Sequence, residues 1–381
     1  MIPHLFVDIS SHGLGHLAQA APILNELLRR LPELQLTVRS GLPQAKLRER
    51  LHLEFTHLAG SSDFGYVMHD AIRVDYAATA LAYREQHADW ARRVAEEAAL
   101  LTELAPDLVL TDAAYLPLAG AAQAGIASLS MCSLNWAELF AHFFGNEDWA
   151  APIHQQMLAA YRSAECFLRL TPAMAMADLP HRRAIAPVAA LGRRVALNER
   201  LGLAPGEKLV LVAFGGFDTD LAAEHWPRSA GLHWLIPQSW PIARDDMSAF
   251  EPLGLSFTDL LHSVDAVLTK PGYGTFTEAA CNGTPVLYLR RNDWPEQDCL
   301  IDWLERNGRC AEIGPDELAD ERLPAALVAL WQQPAPPLPE ASGAKEAAEL
   351  IADRLLAQRV DRRVMPRSKS SWGALRSPDL R

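Results

Sequence analysis

Strand-length apolar runs, each followed by a segment with the spacing of one helix face, occur in two successive series along this 381-residue chain, and this doubling constrains its fold more than any single motif. The first series opens with LFVDI (5–9), after which Leu17, Ala20, Ala21, Leu24, Leu27, Leu28 and Leu31 mark a helix face. LQLTVR (34–39), DLVLT (107–111) and ASLSM (127–131) read as further strands, and Trp90, Val94, Ala98 and Leu101 as the helix feeding the second of them. The second series has KLVLVAF (208–214), LHWLIP (232–237), DAVLT (265–269) and PVLYL (285–289), with helices predicted from Phe276 and from Glu296. Strands alternating with helices imply parallel sheets. The fold class expected is therefore α/β, with two Rossmann-like doubly wound parallel-sheet domains facing a cleft. A chain of this length with 49% hydrophobic residues can fill two cores of ordinary size.

The proline- and arginine-bearing stretch from Thr171 to Glu199 lacks periodicity and reads as the interdomain connection. The expected division is an N-terminal Rossmann-like domain over 1–190, a C-terminal Rossmann-like domain over 191–343, a helix over 344–360 and a disordered basic tail over 361–381. The net charge of −12 argues against a nucleic-acid surface, because phosphate backbones are repelled over most of such an exterior. Five cysteines with no CxxC pair suggest neither a disulfide framework nor a zinc cluster, in keeping with a reducing cytoplasm. Neither a signal segment nor a membrane-spanning run is read, and the basic tail is the candidate for peripheral contact with anionic lipid.

Three glycine loops carry the candidate chemistry. In ISSHGLGHLAQ (9–19), Gly13 and Gly15 let backbone approach a ligand, and His16 stands at the mouth of the following helix. A neutral imidazole there can take a proton from an acceptor hydroxyl; the alternative is a structural histidine. His12 reads as structural or as a substrate contact. Asp112, ending DLVLT, shares that sheet edge and could fix the imidazole tautomer, or it could cap the next helix. In TKPGYGTFTEA (269–279), Lys270, Pro271, Gly272, Tyr273, Gly274 and Thr275 lead into a helix. The amides through Thr275 to Thr277 are expected to hold a diphosphate there. Glu278, one turn inside, can accept hydrogen bonds from ribose hydroxyls. Glu296, Gln297 and Asp298 open the next helix with donors and acceptors suited to sugar hydroxyls. VAFGGFDTD (212–220) places Gly215 and Gly216 at the cleft; its DxD, Asp218 and Asp220, is discounted as a metal motif, since amides and Lys270 already oppose a diphosphate.

With these residues in place, the chain resembles GT-B glycosyltransferases, especially the lipid-linked N-acetylglucosaminyltransferase of peptidoglycan synthesis and the glycosyltransferase-like N-terminal domain of arabinokinase-type proteins. The resemblance spans about residues 1–330 and is strongest in TKPGYGTFTEA. It implies an inverting, metal-independent transfer, without cofactor, from a nucleotide-diphosphate sugar, commonly UDP-linked, to an acceptor hydroxyl. His16 falls on the catalytic histidine, Asp112 on its supporting aspartate, Glu278 on the ribose-binding glutamate, and Gln297 and Asp298 on donor-sugar contacts. Leu255 and Phe257, in LSFTDLLH (255–262), fall on the base-binding segment. Asp298 departs from the glutamine of the peptidoglycan enzyme, which leaves the donor sugar open. GYVMHD (65–70) and NWAELFAHFFGNEDW (135–149) either frame the cleft for an apolar or lipid-linked acceptor or are ordinary core. A nucleotide-sugar hydrolase or 2-epimerase, and a non-catalytic nucleotide-sugar-binding protein, are the alternatives on the same fold.

Overall fold

The computed structural model describes residues 2–52, 54–215 and 221–364, with side chains through Gln358. The first sheet comprises β1 (His4–Ile9), β2 (Gln35–Ser40), β3 (Thr56–Ala59), β4 (Leu108–Asp112), β5 (Ser128–Cys132), β6 (Cys166–Leu170) and β7 (Arg182–Ile185). Helices α1 (Gly15–Arg30), α2 (Gln44–Arg50), α3 (Tyr76–Ala88), α4 (Trp90–Leu104), α5 (Leu116–Ala124), α6 (Trp136–Phe144) and α7 (Ala150–Ser163) connect them. The second sheet comprises β8 (Lys208–Ala213), β9 (Leu232–Ile236), β10 (Met247–Ala249), β11 (Ala266–Thr269), β12 (Val286–Tyr288) and β13 (Cys310–Glu312). Its helices are α8 (Leu197–Leu201), α9 (Phe257–Ser263), α10 (Tyr273–Asn282), α11 (Glu296–Asn307), α12 (Arg322–Gln332) and α13 (Gly343–Val364).

Every strand pairing is parallel. The first sheet runs β3-β2-β1-β4-β5-β6-β7 and the second β10-β9-β8-β11-β12-β13. In each, chain order reverses once, between β1 and β4 and between β8 and β11. Such reversals open the crevice in which doubly wound sheets bind ligands. Central strands such as LFVDI and KLVLVA are buried along nearly their whole length, as expected of sheets covered on both faces.

The chain departs from its expected course in three places. The stretch from Thr171 to Glu199 is not all connection, since Arg182–Ile185 adds an edge strand beside β6. Its outward arginines hide the strand pattern, and charge on an edge is a common guard against further pairing. Second, α10 begins at Tyr273, three residues before the expected Phe276. Third, α13 runs to Val364, past the expected start of the tail at 361, while 365–381 lie outside the described residues. Ala347, Ala348, Ile351 and Leu355 of this last helix are buried with Leu24 and Leu27 of α1 in one apolar cluster, so the chain returns to the first domain. Among the described residues no helix is long and apolar enough to cross a membrane.

Candidate functional site

The two reversal points face one another. From the first, α1 begins at Gly15 directly after the glycine loop that closes β1, which brings His16 over the end of β4. Its Nδ1 lies 2.8 Å from Asp112 Oδ1, and both side chains are buried. Asp112 does not cap α5, whose N-cap is Tyr115. Burial pulls the imidazole toward neutrality, but the Asp112 hydrogen bond and charge, with Asp63 and Glu296, hold its pKa above the usual 6.5. Burial also lifts Asp112 above the usual carboxylate value, against the pull of His16. With Nδ1 engaged by the carboxylate, Nε2 is the nitrogen left for proton transfer. The Cys132 Sγ is 3.8 Å from the same Nδ1, and these three groups have the spacing of a metal-ligand set. Burial and the Asp112 charge hold that thiol well above its ordinary pKa, so it stands as a neutral thiol beside the pair.

From the second reversal point come Gly215, after β8, and Lys270, after β11. Gly215 takes a positive φ of 76°, and an added Cβ there would lie 3.7 Å from Lys270 Nζ. Burial, and then the charge of Arg291, lower the lysine's pKa to about 7. Because α10 starts at Tyr273, the amides without an intrahelical acceptor are those of 273–275; Phe276 N–H already bonds Gly272 C=O at 3.0 Å. The amides of Phe276 and Thr277, expected to hold anion, are thus inside the helix.

Between the two edges lies a cavity of about 530 Å³, within the usual range for small-ligand sites. His12, His16, Lys270, Gly272, Thr275, Arg291 and Glu296 contribute to its wall, and Leu255, Phe257, Phe250 and Trp240 form a more apolar end. Gly13, Gly15, Gly215, Tyr273, Gly274 and Glu278 also border it, whereas Pro271, Gln297 and Asp298 do not. Gly216, Asp218 and Asp220 lie outside the described residues.

Several expected contacts are differently employed. Gln297 accepts from Arg291 N–H at 2.9 Å and donates to Arg291 C=O at 3.1 Å, pinning the loop before α11. Asp298 pairs with Arg290 at 2.7 Å and its side chain is 74% exposed. Neither residue lines the cavity in this arrangement. Tyr273 directs its hydroxyl at Thr171 C=O, 2.9 Å away, and receives Val188 N–H at 3.0 Å, tying α10 to the connection. Gly274 serves packing: a Cβ there would lie 2.6 Å from Ala18 Cβ of α1. Glu278 is buried and ion-paired with Arg50 of α2, whose guanidinium also lies 5.5 Å from the Phe257 ring. The carboxylate expected to meet ribose is therefore reached from both domains.

The aromatic segments sort mainly into core. Tyr66, Trp136, Phe140 and Phe144 are buried in one first-domain cluster, and Trp294 of the second domain inserts into it. His12 stacks on Trp294 at 5.6 Å, and His142 and Tyr76 bond Asp293 beside it at 2.8 and 3.3 Å. Burial, then the charges of His16, Arg291 and Lys270, keep His12 well below the ordinary histidine range and hence neutral. Glu296 Oε1 accepts from Ser133 Oγ at 2.6 Å and Oε2 from Trp294 Nε1 at 3.1 Å, another bridge between domains. Arg291, unremarked in the sequence as one arginine in a polar loop, is 5% exposed and faces this cavity.

No protein-family profile matches the chain. It is similar to the L-arabinokinase of Arabidopsis thaliana, 24% identical over 327 residues that make up 78% of this chain and 29% of that protein. It is also similar to an uncharacterized glycosyltransferase of Methanopyrus kandleri, 28% identical over 177 residues, 42% of this chain and 50% of that one. The chain thus matches no more than half the length of either relative. Among solved structures, the glycotransferase of kitacinnamycin superposes with a TM-score of 0.61 at 16% identity, over 96% of this chain and 100% of that one. A putative UDP-N-acetylglucosamine 2-epimerase from Listeria monocytogenes superposes at 0.58 and 14% identity, over 94% and 98%. These likenesses establish the fold, which is GT-B.

Proposed function

We propose, on the premise of this GT-B fold, that the chain transfers a sugar from a nucleotide-diphosphate sugar to an acceptor hydroxyl with inversion at the anomeric carbon. The observation that carries the proposal is a buried His16–Asp112 pair facing, across one cavity, Lys270 and the free amides that open α10. His16 Nε2 takes the acceptor proton while Nδ1–H stays on Asp112, which stabilises the imidazolium that forms. The acceptor oxygen bonds to the anomeric carbon, and the carbon–oxygen bond to the diphosphate breaks. The departing electron pair is stabilised by the amides of 273–275 and by Lys270; a well-placed donor of this kind typically contributes about 3 kcal/mol. Leu255 and Phe257 pack on the nucleobase, and Glu278 accepts from ribose, sharing its carboxylate with Arg50. No metal is assigned a role, because helix amides and a lysine can neutralise the leaving group themselves. Uridine is the base the resemblance favours.

The test is His16→Ala, assayed with UDP-sugars and an acceptor extract. Transfer falls by about 10²-fold or more while UDP affinity stays within about twofold. Near-normal turnover would remove His16 from the role. A second reading, nucleotide-sugar hydrolase or 2-epimerase, is favoured by Trp294, whose insertion among the first-domain aromatic side chains makes core of segments that could otherwise have framed an apolar acceptor. Free sugar or an epimerised donor, formed without any acceptor, would select it.

A further inference from the structure

Given the glycosyl-transfer reading, Arg291 bears on which sugar this site takes. The guanidinium lies 3.8 Å over the Trp294 ring, and its buried Nε and Nη2 have no hydrogen-bond partner. The neighbouring carboxylate, Glu296, is engaged by Ser133 and Trp294. Burial lowers the arginine's pKa to about 10, which leaves it cationic at neutral pH. A buried cation with two idle N–H groups is costly, and an anionic acceptor relieves that cost.

The two idle nitrogens form one edge of the guanidinium, whose parallel N–H bonds match the two oxygens of a carboxylate. The same edge grips carboxylates elsewhere in this protein: Arg29 holds Glu26 at 2.8 and 2.7 Å, and Arg244 holds Asp246 at 2.9 and 2.6 Å. Arg291 is an electrostatic neighbour of Lys270 but leaves the sheet from a different strand. Lys270 follows β11, beside the reversal point, whereas Arg291 follows β12, one strand further along and next to the start of α11. On the glycosyl-transfer reading, with the pyrophosphate at the start of α10, that one-strand offset assigns Arg291 to the sugar beside it.

We infer that the sugar handled here carries a carboxylate, as a uronic acid does, and that the Nε–Nη2 edge of Arg291 is the contact that selects it. The carboxylate belongs either to the donor or to the acceptor, and calorimetry on the full chain separates these. With the carboxylate on the donor, UDP-glucuronate binds about tenfold or more tighter than UDP-glucose. With it on the acceptor, UDP-loaded protein binds free glucuronate about tenfold or more tighter than glucose. In either case Arg291→Gln brings the pair within about twofold and, at pH 6, where Lys270 is largely protonated with or without the Arg291 charge, leaves UDP affinity near its starting value, and Arg291→Lys, which keeps the buried charge without the fork, restores only part of the preference. The lysine variant also reads the result should the glutamine variant not fold. Equal binding in both arms overturns the inference, as does an R291Q variant that loses UDP and UDP-glucuronate alike, since the guanidinium would then serve the diphosphate. Failure of wild-type protein to bind any of these uridine ligands would instead remove the UDP-linked form of the glycosyl-transfer reading on which the inference rests.

Discussion

His16 and Lys270 bring opposite pH requirements to one cavity. In the proposed transfer His16 must be neutral to take a proton, and its pKa is held above 6.5 because Asp112, Asp63 and Glu296 outweigh burial. The rate therefore falls as pH drops through that raised value, and the acid limb of kcat/KM has its midpoint above 6.5. Asp112→Asn shifts this limb to lower pH and reduces kcat by about 10²- to 10⁴-fold, since the tautomer is no longer held. A limb unmoved by that substitution would assign it to another group. Lys270, with a pKa of about 7, is largely neutral at pH 8, and in the proposed site it is expected to regain its proton when a diphosphate binds. UDP binding at pH 8 is thus accompanied by uptake of close to one proton, vanishing near pH 6. Calorimetry in two buffers of different ionisation enthalpy measures it, and no proton exchange at pH 8 would contradict the assignment. His16, Asp112, Lys270 and Glu278 were legible because each follows a strand or a glycine turn at a sheet's carboxyl edge. Arg291 was not, because its burial comes from Trp294 and the facing domain, which no local spacing encodes. Gln297 and Asp298 show the converse: their polarity suits a sugar, while in this structure one bonds loop backbone and the other Arg290.

Helix α10 shows how an element can be recognised and its start misjudged. KPGYGT reads as loop because it holds two glycines, yet only Gly272, at the N-cap, precedes the helix. Gly274 lies within it and lets α10 approach α1, where a methyl group would meet Ala18. Gly274→Ala is expected to cost about 1–3 kcal/mol of stability by overpacking and to weaken UDP binding by displacing the diphosphate amides. Denaturant unfolding and calorimetry measure both effects. Adding Ala18→Gly recovers most of the loss, because the two sites share one contact. Full wild-type stability in the single variant would show that the helices separate without cost. Strand β7 escaped notice for another reason: RRAI has too few apolar residues to stand out, and as an edge it needs few.

At the scale of the whole molecule, the tandem α/β pattern was sufficient for the architecture, since each series supplied a buried first strand and a crossover helix. What it did not convey was how closely the halves engage. Ser133 reaches Glu296, Arg50 reaches Glu278, Trp294 enters the first-domain cluster, and α13 returns to α1. These contacts join residues more than a hundred positions apart, beyond the range of any periodic signal. They also bring the two reversal points face to face, and the proposed chemistry depends on that opposition more than on any one side chain. A crystal structure of the protein soaked with UDP examines it directly. A pyrophosphate is expected within hydrogen-bond distance of the amides of 273–275 and of Lys270, with His16 Nε2 directed at the same cavity from the other side. A pyrophosphate bound elsewhere, or an imidazole turned out of the crevice, would contradict it.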